Sequence, residues 1–131
     1  MQYLSTTVIT GSGSYIPDFV KTNRDFTGHN FYAEDNTALE IEPHIIVEKF
    51  KKITGIGERR YAPNNMESSD MAAIAAQRAI DDAGCDPETI DQIICAHNFG
   101  NVTKHTIQTD AMPALASRIK HALKIKNPSC I

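Results

Sequence analysis

Apolar and β-branched residues recur along the chain in patterns that predict its elements. Residues 3–10, YLSTTVIT, are rich in β-branched side chains and predict a strand. GSGSYIPDFV follows, punctuated as a loop by Gly11, Gly13 and Pro17. Residues 21–42 are polar and weakly patterned. They predict a long surface excursion, of a kind that is either functional or mobile. Pro43 suits the first turn of a helix, and Ile46, Phe50 and Ile53 then fall on one apolar face. That helix is predicted to stop near Thr54, with Gly55 as a left-handed cap. GERRYAP predicts a short strand leaving the cap.

A second helix begins at Ser68 or Ser69 as cap, with Asp70 in the first turn, where the helix dipole favours an anion. Met71, Ile74, Ala75 and Ala79 share a face, Ala72, Ala76 and Ala83 keep the helix slim, and Gly84 ends it. So slim a helix is expected to be packed closely on both sides. DQIICAHNF predicts a strand whose middle, residues 93–96, is unbroken apolar, which suits a central strand covered on both faces. NFGNVTKHTIQTD reads as a loop. Pro113 opens a third helix, with Leu115, Ala116, Ile119, Ala122 and Leu123 on one face. Asn127-Pro128 breaks it, and SCI begins another buried strand. Strands alternating with helices imply an α/β fold with a mostly parallel sheet flanked by helices. A last strand that has barely begun suggests truncation, so the fold is expected to be incomplete. Its open edges and apolar faces would then favour self-association.

Composition narrows the class. The 131 residues are 41% hydrophobic and 22% charged, an ordinary soluble composition of single-domain size. A net charge of -3 argues against broad nucleic-acid binding. No apolar run approaches the roughly 18 residues of a membrane span, and the N-terminus does not read as a signal peptide. Cys85, Cys95 and Cys130, an odd set without CxxC spacing, suggest reduced thiols in a cytoplasmic protein.

Candidate chemistry is sparse. The GSG at 11–13 lacks the third glycine of a dinucleotide fingerprint and leads into no evident helix, so it reads as a tight turn. Cys95 and His97 share a face of their strand, but even with His105 they fall short of the four ligands of a structural zinc site. No metal is therefore expected. His97 does lie at the C-terminal end of that strand, where α/β proteins place ligands. Lys49, Lys51, Lys52, Arg59 and Arg60 form a basic cluster at a helix end. It is either a solvated face whose cations suit the helix dipole or a docking patch for an acidic partner. Cys130 has no helix start after it to stabilise a thiolate, and reads as a small buried hydrophobe.

Three stretches, TGIGERRYAP, SSDMAAIAAQRAIDDAGCDPETIDQIICAHN and MPALASRIKHALKIKNPSC, resemble the N-terminal part of ketoacyl-ACP synthase III in order and spacing. The opening ITGSGSYIPDFVKTN fits as well. The resemblance covers nearly the whole chain, apart from a longer segment around residues 28–45. It implies that residues 1–131 are a partial N-terminal thiolase-like domain, with the C-terminal half absent. It further implies a transferase of fatty-acid biosynthesis and lipid metabolism. Such an acyltransferase loads an acyl thioester onto a cysteine and condenses it with malonyl-ACP, working as a homodimer without a cofactor. Cys130 matches a position ahead of the family's nucleophile. The chain alone is thus expected to lack the catalytic Cys, His and Asn and to be inactive.

Thr54 matches a position near the mouth of the CoA and phosphopantetheine tunnel. Met112 matches one that reaches into the partner subunit's acyl pocket. Ile53 and Lys49 stand where well-known members carry an arginine and a tryptophan that hold the CoA nucleotide. Of the two donors the resemblance allows, acyl-CoA or acyl-ACP, those departures weaken the case for CoA and point toward acyl-ACP or a specialised pathway, and Lys49, Lys51 and Lys52 would suit an acidic acyl carrier protein. Two alternatives stay open: another thiolase-fold condensing enzyme, or a stand-alone non-catalytic assembly domain.

Overall fold

The computed structural model describes residues 6–103 and 105–131. The chain packs as two compact units: residues up to Tyr15 together with Asn64–Ile131, and Ile16–Pro63.

In the Ile16–Pro63 unit, β1 (Phe19–Thr22) pairs antiparallel with β2 (Glu58–Tyr61), Phe19 opposite Tyr61 and Thr22 opposite Glu58. The short strand expected from GERRYAP is β2. Its partner β1 was expected to be loop. A single 3-10 turn, Asn23–Phe26, follows β1. Helix α1 (Pro43–Thr54) runs as the sequence predicts, from Pro43 to a left-handed Gly55 (φ 71°), whose N–H donates to the Lys51 carbonyl at 2.8 Å. Ile46 and Val47 are its buried residues. Phe50 and Ile53 remain 47% and 71% exposed, so the apolar face leans further toward Val47 than the spacing suggested.

Residues 31–39 make a small turn-closed ribbon. The Leu39 N–H donates to the Phe31 carbonyl at 2.8 Å and the Ala33 N–H to Thr37 at 2.8 Å, with Asn36 left-handed at φ 64°. The Asp35 carboxylate accepts from the Thr37 N–H and hydroxyl at 3.0 and 2.6 Å. This is the local turn chemistry that Asp and Asn provide. The Phe31 ring rests against Phe50 of α1, centroids 6.1 Å apart.

In the other unit, α2 spans Ser68–Ala83. Its cap is Glu67 rather than a serine: the Asp70 carboxylate accepts from the Glu67 N–H at 2.8 Å, and Ser68 is already helical. Gly84 ends the helix, as predicted. Helix α3 is Leu115–Ala122, with Leu115 and Ile119 buried. It starts two residues after Pro113, because the Arg118 N–H closes the first turn on the Ala114 carbonyl. Helices α2 and α3 pack on each other.

Gly11 and Gly13 lie against the alanine side of α2. A Cβ on Gly13 would stand 2.2 Å from the Ala75 carbonyl oxygen and 2.4 Å from the Ala79 nitrogen. One on Gly11 would stand 2.5 Å from the Ala79 oxygen. The slim helix and the glycine pair are thus two halves of one close approach, and GSG is neither a phosphate cradle nor merely a turn.

The strand expected at 3–10 lies partly outside the described residues, and residues 6–10 carry no ladder. The segment expected as a strand at 91–99 has a single rung. The Ile93 N–H donates to the Ile131 carbonyl at 2.8 Å, and the Ile131 N–H to the Asp91 carbonyl at 3.2 Å. Two bonds from one residue flanking Gln92 are the parallel-ladder pattern. The ladders among the described residues are β1–β2 and a second antiparallel pair, β3 (Asn101–Val102) with β4 (Thr109–Asp110), inside the expected loop.

Candidate functional site

Four of the five residues singled out sit on α1. Lys49, Lys51 and Lys52 are exposed, and none meets a carboxylate among the described residues. A helix turns about 100° per residue, so Lys49 and Lys52 are neighbours and Lys51 falls on a different side. Ile45 and Ile53, 50% and 71% exposed, lie beside the Lys49–Lys52 pair. The result is an exposed face of two cations and two apolar side chains.

Thr54 closes the helix with its side chain. Its hydroxyl donates to the Phe50 carbonyl at 2.7 Å and accepts from the Ile56 N–H at 3.2 Å. A hydroxyl has two acceptor positions, so one remains for an outside donor.

The two arginines leave the basic cluster. Arg60 faces Glu58 at 3.9 Å and donates to the Pro17 carbonyl at 3.3 Å. Arg59 is half-buried, donates to Asn23 Oδ1 at 2.6 Å, and lies over the Phe26 ring at 5.1 Å.

Met112 belongs to the other unit. It is 78% exposed, and its backbone is held from one side chain. Arg118 of α3 donates to the Met112 carbonyl at 3.2 Å and the Pro113 carbonyl at 3.0 Å, and it pairs with Asp110. The Met112–Pro113 peptide is cis. Arg118 thereby ties the end of β4 to the start of α3 and fixes the segment that presents Met112. The sequence offered a faint signal, a lone arginine five residues beyond a proline.

Beside this segment is a cavity of about 480 Å³ lined by His97, Gly100, Asn101, Thr109, Ala111 and Leu115, among others. His97 Nδ1 accepts from the Gly100 N–H at 2.8 Å, which leaves Nε2 as the nitrogen available to a ligand. Asn101, 2% exposed, accepts from the Ser69 N–H at 3.1 Å and donates to Glu67 Oε2 at 2.6 Å. It caps α2 from outside the helix.

Among the described residues no three His, Cys, Asp or Glu side chains gather as a metal site, so Cys95, His97 and His105 form none. Cys130 is 2% exposed, and its carbonyl accepts from Lys120 Nζ at 2.6 Å, as suits a buried small side chain.

No protein-family model matches the chain. Curated relatives do. The chain is 37% identical over 118 residues to beta-ketoacyl-[acyl-carrier-protein] synthase III 1 of Vibrio cholerae, covering 90% of this chain and 31% of that protein. It is 32% identical over 117 residues to the enzyme of the same name from Halalkalibacterium halodurans, covering 89% and 33%. Among solved structures, 3-oxoacyl-[acyl-carrier-protein] synthase III from Aquifex aeolicus VF5 superposes with a TM-score of 0.65 at 28% identity, over 94% of this chain and 33% of that one. The priming beta-ketosynthase from the R1128 polyketide biosynthetic pathway superposes at 0.64 and 26% identity, over 94% and 30%. The chain therefore spans about a third of the length of the proteins it matches. The chain is similar to about a third of the beta-ketoacyl-ACP synthase III enzymes, and its fold matches part of their thiolase-like α/β fold.

Proposed function

We propose that this chain is the N-terminal segment of a 3-oxoacyl-ACP synthase III-type acyltransferase that condenses an acyl thioester with malonyl-ACP in fatty-acid or related biosynthesis. The observation that carries the reading is the 37% identity over 90% of the chain to a beta-ketoacyl-ACP synthase III. The nucleophilic cysteine, histidine and asparagine of the condensation belong to other parts of such an enzyme, so residues 1–131 supply binding surfaces and not the reacting groups. They form a partial N-terminal thiolase-like domain.

Thr54, with an acceptor position open beyond its helix-closing bonds, lies near the mouth of the thioester tunnel. Met112, held out by Arg118, enters the acyl pocket of a second subunit in a homodimer. Lys49, Lys51 and Lys52 dock the acidic acyl carrier protein, with Lys49 and Lys52 as the principal pair because they share a side of α1. A cytoplasmic location goes with this reading; no helix among the described residues is long and apolar enough to cross a membrane.

One observation favours a second reading, a priming condensing enzyme of a specialised pathway. The R1128 priming ketosynthase is a structural neighbour, and Ile53 and Lys49 replace the nucleotide-holding arginine and tryptophan.

The test uses the protein encoded by the whole reading frame that carries these codons, assayed with acyl donors of graded length. Met112→Phe and Met112→Ala should shift the preferred donor to shorter and longer chains respectively. The paired change Lys49→Glu and Lys52→Glu should raise the KM for malonyl-ACP about tenfold with little change in kcat. An unaltered chain-length profile would remove Met112 from the pocket, and an unaltered KM would remove the lysines from docking.

A further inference from the structure

The Ile16–Pro63 unit contains a small cavity that the condensation does not use. It encloses about 220 Å³ and is lined by Asn23, Phe26, Phe31, Val47, Phe50 and Arg59. Three phenyl rings and a valine make its walls apolar. The remaining polar feature is a fixed cation with its asparagine partner. Asn23 is pinned three ways: its N–H donates to the Gly57 carbonyl at 3.1 Å, its Nδ2 to the Ile56 carbonyl at 2.9 Å, and its Oδ1 receives Arg59 Nη1 at 2.6 Å. Phe26 supports the guanidinium from one face at 5.1 Å. A guanidinium has five N–H donors in a rigid fork. Among the described residues Arg59 spends one, on a neutral amide, and meets no carboxylate.

We infer that this cavity binds a small monocarboxylic acid with a flat apolar body, of the benzoate class. A planar carboxylate is the natural complement of the remaining guanidinium edge. Rings at tilted angles, such as Phe31 and Phe50 at 58°, suit a further ring packed edge to face. The volume of about 220 Å³ is below that of a drug-sized site and suits one ring. Inorganic phosphate is disfavoured, because the rest of the wall has few donors to replace its hydration. Phe31 comes from the ribbon at 31–39, and the other lining residues come from the 3-10 turn, α1 and β2.

The test is titration of the 131-residue chain with sodium benzoate, benzamide and sodium phosphate, read by ligand-observed NMR and calorimetry. Benzoate should bind saturably, about tenfold more tightly than its neutral isostere benzamide, with phosphate not competing. Arg59→Gln should bring benzoate down to the level of benzamide and leave benzamide binding unchanged, which shows that the pocket persists. Lys49→Gln with Lys52→Gln should leave benzoate binding within about twofold, since those lysines lie outside the cavity. Equal affinity for benzoate and benzamide, no saturable binding of either, or an equal loss in the lysine variant would each overturn the inference. Should Arg59→Gln unfold, the benzoate-to-benzamide ratio of the native chain still decides.

Discussion

Gly13 is needed for contact and not for a turn, because its missing Cβ is what lets a backbone touch a helix. The atoms that an added methyl would meet are the carbonyl oxygen and nitrogen of α2, which cannot swing aside as a side-chain tip can. Gly13→Ala should destabilise its unit by about 3 kcal/mol, the upper end of ordinary overpacking costs. A shift of the urea midpoint to lower concentration, absent in the exposed control Ser12→Ala, would register it. The sequence displayed both halves of this contact, the glycine pair and the alanine stripe. Nothing local said that they meet, since about 65 residues separate them.

Single carboxylates carry a pH signature at the same scale. The Thr22 hydroxyl, and then its backbone N–H, hold Asp25 below the usual carboxylate range. The Thr37 hydroxyl and N–H do the same for Asp35. A lowered folded-state value means that stability is present above the ordinary aspartate pKa and is lost as pH falls through that value to the lowered one. Both groups are fully exposed, so the effect on unfolding is small and is better read at the residues themselves. Carboxyl-carbon NMR titration should place both midpoints below ordinary aspartate. Thr22→Val should raise that of Asp25 and leave Asp35 unmoved. Unchanged titration of Asp25 in that variant would discard the hydrogen-bond explanation.

Elements whose signals are local were legible. Pro43, the apolar face at 46–50 and Gly55 lie within one short stretch, and α1 follows them. The pairing of β1 with β2 was not legible, because the partner of Phe19 is Tyr61 and FVKT alone is too short to declare a strand. The excursion at 21–42 held a readable turn, Asp35-Asn36, that the weak hydrophobic pattern concealed. Arg59 was misplaced with the surface cations for a related reason: only the fold brings Asn23 and Phe26 to it.

The β3–β4 pair, two residues a strand, gives no periodicity at all. Its role is visible in Asn101, whose Oδ1 accepts from the Ser69 N–H of α2 and whose Nδ2 donates to Glu67 Oε2. Asn101→Ala should cost about 1–3 kcal/mol by leaving a buried donor without its acceptor. Hydrogen exchange at Ser69 should speed up more than exchange at the middle of α2. Uniform acceleration along the helix would contradict a capping role.

For the whole molecule, the two units and their relatives' architecture give one account of the surface. Phe99, Ile107, Met112 and Ile94 are 76%, 100%, 78% and 82% exposed, far more apolar surface than a solitary domain presents. The 91–99 segment, whose middle at 93–96 was expected to be covered on both faces, has one rung. In the proposed condensing enzyme these surfaces are covered by the remaining layers and by a second subunit. The thiolase-like fold was legible from motif order, whereas the proposed roles of Thr54 and Met112 rest on motif position alone. The contacts of Arg118 with the 110–113 segment and of Asn101 with α2 join elements that no local pattern links.

The most direct measurement compares two polypeptides in one assay, formation of 3-oxoacyl-ACP from an acyl thioester and malonyl-ACP. One is residues 1–131, and the other is the product of the whole reading frame that carries them. The account predicts turnover by the second and none by the first, with no acyl group transferred to Cys130. Condensation by residues 1–131, or none by the whole product with any acyl donor, would contradict it.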